Sequence, residues 1–519
     1  MRRGGDMTGK KRVKLYRYLG AGILALFALV HSLPRIGMSG NETSRFATVQ
    51  AVAEQDTFAI EKTVFGTVDK VKKKFGNDGH TYSDKPPFLA FAVGAALKPV
   101  QFLTGWNFRE HREKLVYLVD LVFGGLNILL FLWLFNMFRR VRRGTLDAKF
   151  LLALGSVAGS WLLSYSVVMN NHTPAALCVL GLYVALWKFS RKPTFRAAAL
   201  AGLACGILGA LEIPGGAIFG LALIPALILA SPPQKRADFT LAAVCVVAFS
   251  ALCVFVLNYV AYRNPLPLYL GQGGTYQPGV HDKSFVGYAA ECLFTCRGLF
   301  SYQPFLLLAF PALWFCRKNL RAAEWVMFAA TLVFTLFYLV LTNEFGGWAY
   351  GFRYLVPVIP VWSFVAGRWV LSAPKKSARV WLGALSAVLL SWGIVTSFIG
   401  AYFPFCCAFE GVRTPARHFS QSIRSTFGGN LLCWSYEHFP ESALTRALFR
   451  HYGEKAALEH LFWSFVNMQY LDMREIKDLY AARGVRNFER YYLSRMSDGE
   501  IRVWIEEGRR RRIEKASNR

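Results

Sequence analysis

Apolar residues along this chain come in long blocks rather than in the alternation of a half-buried strand. The first block runs from Leu15 to Leu33, behind a basic flank of Arg2, Arg3, Lys10, Lys11, Arg12 and Lys14, with Arg17 at its start. A basic flank also precedes secretory signal peptides. Here no small-x-small cleavage site follows, because the block ends His31-Ser32-Leu33-Pro34-Arg35. The pattern predicts an uncleaved anchor with residues 1–14 in the cytoplasm. Later blocks approach the roughly 20 residues that a spanning helix needs. They cover 115–138, 150–169, 174–188, 197–213, 215–230, 239–261, 298–316, 324–342, 355–371 and 380–401.

One block, Phe88 to Gly105, is interrupted by Lys98-Pro99, and loop charge decides how to read it. If it does not cross, five basic clusters fall on the side of the N-terminus: Arg139/Arg140/Arg142/Arg143, Lys188/Arg191/Lys192/Arg196, Lys235/Arg236, Arg317/Lys318/Arg321 and Lys375/Lys376/Arg379. That is the positive-inside arrangement. The expectation is an all-α polytopic membrane protein with about eleven spans over 15–401 and a juxtamembrane helix at 86–104. Three larger segments then lie outside: 34–113, about 262–297, and a mostly helical tail, 402–519. The tail contains a helical stretch, Glu454–Tyr470, and ends in Arg509-Arg510-Arg511-Arg512. Span parity outweighs that basic end, since long segments translocate largely regardless of charge. The expected membrane is the inner or plasma membrane of the cell.

Composition agrees with this picture. Of 519 residues, 54% are hydrophobic and 18% charged, with 60 Lys+Arg against 32 Asp+Glu, a formal charge of +28. Soluble domains carry roughly 25% charged residues, and a nucleic-acid binder would set its surplus cations among many other charges. Ten Cys form no disulfide framework at this length. Cys178, Cys205, Cys245, Cys253 and Cys316 fall in or beside spans. Cys292, Cys296, Cys406, Cys407 and Cys433 fall outside, with pairing open. Neither a P-loop for nucleotide phosphates nor a dinucleotide fingerprint is present.

Candidate chemistry begins just after the first span, in Gly40-Asn41-Glu42-Thr43-Ser44-Arg45-Phe46-Ala47. About forty residues later comes Tyr82-Ser83-Asp84-Lys85-Pro86-Pro87-Phe88-Leu89, with Lys85 at the head of a helix. A cation beside helix-terminal N–H groups suits a phosphate. The pair of motifs resembles the C-type (GT-C) glycosyltransferases that use polyprenyl-phosphate sugars, such as lipid A aminoarabinose transferases and protein O-mannosyltransferases. Those enzymes carry an acidic pair and Arg, then an aromatic, an acid and Lys-Pro. Here Asn41 stands where the family has its first acid. The turn Asn170-Asn171-His172-Thr173-Pro174 lacks the Asp-Pro of many relatives, and Glu212 stands where a Lys is often found. Arg297 to Pro304 and Gly346 to Tyr354 also resemble bacterial members, and the resemblance covers about residues 15–370.

The resemblance implies inverting transfer of a sugar from a polyprenyl-phosphate lipid to a hydroxyl on a glycan, lipid or protein acceptor, on the extracytoplasmic face. The attacking hydroxyl wants a carboxylate base, and the leaving phosphate wants fixed cations. Glu42 is the expected base, with Arg45 and Lys85 beside it as catalytic residues. Arg297 and Arg353 are further phosphate partners, and Arg263 is a reserve. Tyr82, Asn171, His172, Glu212, Tyr302, Trp348 and Tyr350 are the expected substrate-binding set. The one cofactor to consider is a divalent metal, which some relatives use; Glu42 and His172 with Glu344 or Asp282 are the ligands to consider for it. Oligomeric state is open.

Plainer readings stand beside these. Glu42 also reads as a solvated acid at a helix start. Lys85 and Arg353 also read as cations snorkelling at an interface. Glu212, at a span end, also reads as a charge at the water boundary, where it costs little. Two other functions fit a polytopic chain: a secondary transporter or lipid flippase, and a non-catalytic scaffold of envelope assembly. Transporters often show paired halves with broken helices at the midplane, and no such halves are visible in the sequence.

Overall fold

A computed structural model describes residues 9–32, 40–66, 70–72, 79–268, 284–295, 297–342, 346, 349–404, 425–462, 464–465, 497–499, 501–503, 505–506 and 509–510. Nineteen α-helices, four short 3-10 turns and one two-stranded ribbon make up the named elements among them. The ribbon pairs β1 (Lys70–Lys72) antiparallel with β2 (Thr81–Ser83), Val71 opposite Tyr82.

The all-α membrane architecture is present. Nine helices among the described residues are long and apolar enough to cross a bilayer. They include α1 (Gly9–His31), α4 (Arg112–Arg139), α7 (His172–Phe189), α9 (Ile213–Ala230), α10 (Arg236–Tyr262), α14 (Ala322–Leu341) and α16 (Lys376–Tyr402). A further one is the 3-10 turn Arg353–Val358 running into α15 (Ile359–Ser372). Outward-facing Phe249, Leu252, Val256 and Val260 on α10 are exposed, which suits a face set against lipid tails rather than water.

The ninth is α3 (Pro87–Thr104), the interrupted block. It starts with Pro at its first position and ends at Gly105 in the left-handed region. By length and composition it suffices to cross. It packs lengthwise on α2 (Gly40–Gln55), with Gln101 Nε2 donating to Glu54 Oε1 at 2.9 Å and Lys98 paired with Asp56.

Three expected spans depart from single long helices. Block 197–213 becomes α8 (Phe195–Leu211), a shorter apolar helix. Block 150–169 is broken into α5 (Leu146–Ala158) and α6 (Trp161–Tyr165), because Ser160 takes an extended conformation. The break sits where α16 comes very close: a Cβ on Gly393 would lie 2.4 Å from the Gly159 carbonyl oxygen. Block 298–316 becomes α12 (Leu299–Tyr302), a 3-10 turn at Pro304–Leu308 and α13 (Ala309–Cys316), since Pro304 cannot continue the preceding ladder. The shared apolar composition hid both interruptions.

Helix packing relies on small residues. On α8 a Cβ at Gly202 would meet the Ala243 carbonyl oxygen at 2.5 Å, and one at Gly206 would meet Ser250 Cβ at 2.4 Å. Glycines four apart let α8 and α10 touch backbone to backbone, the route by which helices associate where no hydrophobic force separates protein from lipid.

The basic clusters gather at one end of the bundle. Arg12 pairs with Asp147 at 2.9 Å, and Arg17 donates to Asn136 Oδ1 at 2.6 Å. Arg143 donates to the Ser372 carbonyl at 3.3 Å, and Arg321 to that of Ser190. The tail packs at the other end of α16. Its helices are α17 (Thr426–His438), α18 (Ala443–Tyr452) and α19 (Glu454–Phe462), and Asn430 donates to the carbonyls of Ile399 and Phe403 at 3.1 and 2.9 Å. Cys292 and Cys433 are buried, while Cys296, Cys406 and Cys407 lie outside the described residues.

Candidate active site

The site is built on α2. Its sequence is polar, yet every residue from Glu42 to Val52 is buried. A helix that is polar and enclosed must satisfy its side chains inside the protein. Glu42 lies in its first turn, 4% exposed, and Arg45 follows three residues on, 7% exposed. That spacing sets both on one face.

Arg45 Nη2 donates to Asn171 Oδ1 at 2.7 Å, and Nη1 reaches the Asn41 carbonyl at 3.4 Å. Asn171 precedes α7 and uses its other half: Nδ2 donates to Glu212 Oε1 at 3.0 Å. The same oxygen is hydrogen-bonded to His172 Nδ1. Glu212 sits in the turn between α8 and α9. Its Oε2 has no hydrogen-bond partner among the described residues. Burial pushes its carboxyl well above the ordinary carboxylate range, against the opposing pull of Arg353 and Arg45. Arg45, Asn171, His172 and Glu212, expected from scattered segments, therefore form one continuous network.

Arg353 opens the 3-10 turn before α15 and is 8% exposed. Its guanidinium lies 5.6 Å from the Tyr354 ring centre. Tyr354 in turn presents its ring to His172 edge-on at 5.8 Å and stacks on Tyr338 at 4.6 Å.

The Lys85 turn is tied to the same helix. Ser44 Oγ and Ser83 Oγ are hydrogen-bonded at 2.6 Å, one residue from Arg45 and two from Lys85. Lys85 Nζ pairs with Asp84 Oδ2 at 2.9 Å. Tyr262 donates to the Lys85 carbonyl at 3.3 Å and packs edge-on against Tyr82 at 5.4 Å.

Other expected residues are arranged differently. Tyr302 and Tyr350 are buried and stacked on each other at 5.3 Å. Tyr350 donates to the Thr396 carbonyl at 2.7 Å and accepts on its own carbonyl from Tyr165 at 2.9 Å. Tyr165 lies edge-on to His172 at 6.5 Å, so this aromatic pair backs the network from behind. Arg297 is buried in the turn between α11 (Phe285–Leu293) and α12, its N–H donating to the Glu291 carbonyl at 3.3 Å. Trp348, Glu344 and Asp282 lie outside the described residues.

Among the described residues no group of three or more His, Cys, Asp or Glu side chains gathers around one point. His172 Nδ1 is already engaged by Glu212.

Sequence reasoning missed Tyr354, Tyr338, Tyr262 and the Ser44–Ser83 link. Tyr354 closes the Gly346–Tyr354 run, and Ser44 and Ser83 each stand inside a motif already singled out. The signal that was available lay in those neighbours.

No protein-family model and no curated protein matches this chain. Among solved structures, a single-particle cryo-EM structure of the arabinofuranosyltransferase AftD from Mycobacteria is similar at 14% identity and a TM-score of 0.45. The match covers 75% of this chain and 28% of that one, a likeness too distant to carry a function across.

Proposed function

We propose that this chain is an integral-membrane glycosyltransferase that moves a sugar from a polyprenyl-phosphate donor to an acceptor hydroxyl on the extracytoplasmic face. The observation that carries the reading is the enclosed polar helix α2. It holds a carboxylate and a guanidinium on one face, with the Lys85 turn fastened to it through Ser44 and Ser83. An acid and several cations at one end of an apolar bundle suit a reaction whose leaving group is a phosphate.

In the proposed step the acceptor oxygen bonds to the anomeric carbon opposite the phosphate. The carbon–oxygen bond to the phosphate breaks, and the phosphate leaves with the electron pair. The hydroxyl proton passes to Glu42 as general base. Arg45, Arg353 and Lys85 meet the growing phosphate charge. Asn171, His172 and Glu212 act as positioning residues that hold Arg45. The basic end of the bundle faces the cytoplasm, α3 lies as a juxtamembrane helix, and the donor tail runs beside the spans. Tyr82 and Trp348 are candidates for the sugar, and Arg297 for the phosphate.

The test is transfer of radiolabelled sugar from polyprenyl-phosphate donors in membranes bearing wild type, Glu42→Gln or Lys85→Ala. Loss of a general base lowers such a reaction by about 10²–10⁴-fold, and a smaller loss is expected for Lys85→Ala. Equal transfer by all three proteins removes both residues from the mechanism. Absence of transfer by wild type with every donor tried removes the function.

A further inference from the structure

The end of the bundle away from α2 holds two adjoining cavities that the proposed reaction does not use. His172 and Lys188 stand sixteen residues apart on α7, about 24 Å along a helix, so the two regions are well separated. One cavity, of about 500 Å³, is lined by Arg17, Arg139, Arg140 and Lys188, with Trp133 and Val184 as an apolar wall. The other, of about 420 Å³, is lined by Arg140, Arg142, Arg143, Arg191, Arg321 and Arg368. Arg140 and Trp187 border both.

Charge in the second cavity is not balanced from within. Its lining holds six guanidinium groups and a single carboxylate, Glu324. That carboxylate is already committed: Oε1 accepts from Arg368 at 2.6 Å and Tyr183 at 2.9 Å, and Oε2 accepts from the Arg321 N–H at 3.0 Å. Arg143 and Arg321 are oriented by the carbonyls of Ser372 and Ser190, which direct a cation without neutralising it. Arg140 and Arg191 lie over the Trp187 ring, 5.1 and 3.9 Å from its centre. These cations come from the ends of α4, α7 and α15 and the start of α14, far apart in sequence. All six line the second cavity.

We propose that these cavities hold a phosphate group, carried by an acidic lipid or by a soluble phosphate, with Arg140, Arg191 and Arg321 as its principal partners. Guanidinium forks match phosphate oxygens two at a time. A basic pocket between spans at the head-group layer, with Trp beside it, is the arrangement that recognises anionic head groups.

The test uses the full chain in nanodiscs of phosphatidylcholine with and without phosphatidylglycerol, with lipid retention counted by native mass spectrometry. Wild type should retain phosphatidylglycerol in preference to phosphatidylcholine. The double variant Arg140→Gln/Arg191→Gln should bind it at least about tenfold more weakly. Lys375→Gln/Lys376→Gln, on exposed cations near the same end, should bind as wild type does. In a second arm, inorganic pyrophosphate is titrated into phosphatidylcholine discs; saturable binding lost in the double variant assigns the site to a soluble phosphate. Phenylglyoxal modification of wild type needs no variant to fold, and the bound anion should protect Arg140 and Arg191. The proposal fails if neither anion binds, if the Lys375/Lys376 variant loses as much affinity as the arginine variant, or if neither arginine is protected.

Discussion

Arg45 Nη2 donates to Asn171 Oδ1 at 2.7 Å, joining two residues 126 positions apart. Asn171 bridges the Arg45 guanidinium and the Glu212 carboxyl group, accepting from the first and donating to the second. A side chain here must both accept and donate, and the Asn amide does so through separate atoms. Asn171→Ala should therefore cost about 1–3 kcal/mol, the penalty for leaving buried polar groups unmatched. Thermal unfolding in detergent checks this. A Tm equal to wild type would show that the bridge contributes nothing.

Glu212 gives a pH dependence with a definite sign. Burial raises its folded-state pKa, so the folded protein holds a proton that the unfolded chain releases. Stability from this group is complete below the ordinary carboxylate pKa of about 4.3. It declines as pH rises from there toward the raised folded value. Glu212→Gln cannot titrate, so its Tm should fall less than that of wild type as pH increases through that window. Parallel Tm–pH curves for the two proteins would contradict the assignment.

Arg353 is expected to act on the leaving phosphate. Arg353→Lys keeps a charge but loses the planar fork. A loss of about tenfold or more in kcat is predicted, about 1.4 kcal/mol in the transition state. Radiolabelled sugar transfer gives the number, and an unchanged kcat would remove Arg353 from the step.

Tyr302 should behave as a packing residue. Its hydroxyl accepts from the Phe427 N–H at 3.0 Å and lies 3.2 Å from Thr426 Oγ1. Tyr302→Phe should cost about 1 kcal/mol of stability while leaving KM for the donor unchanged. A raised KM at unaltered Tm would restore the expectation that this ring touches the sugar.

Gly202 carries the contact between α8 and α10. Gly202→Leu places a side chain against the Ala243 backbone, and overpacking of this kind costs about 1–3 kcal/mol or more. The expected outcome is a lower Tm and a smaller yield of folded protein; Gly383→Leu, where a Cβ meets nothing within 4 Å, should be tolerated.

Much of the layout was legible from residue pattern, because a bilayer leaves few ways to satisfy a backbone. The motifs around Glu42 and Lys85 could be paired as one region, and the Ser44–Ser83 hydrogen bond joins them. Asn171 and His172 were singled out separately from Glu212, but their meeting depends on how α7 packs on α8 and α9, which no local pattern encodes. The break at Ser160 was hidden because apolar residues continue through it. An aromatic ring near a span end, such as Tyr302 or Tyr350, reads the same in sequence whether it lines a cleft or packs behind one. Their burial and mutual stacking emerge only from tertiary packing.

Thr426, the first residue of α17, accepts from the Gly351 N–H at 3.1 Å and lies against the Tyr302 hydroxyl. Gly351 stands two residues before Arg353. The tail thus works as a keystone for the strap that carries this arginine, not as a detachable appendage. A chain cut after Phe403 should lose grip on that strap, and supplying the missing piece in trans would have to restore a hydrogen bond as well as a hydrophobic seat.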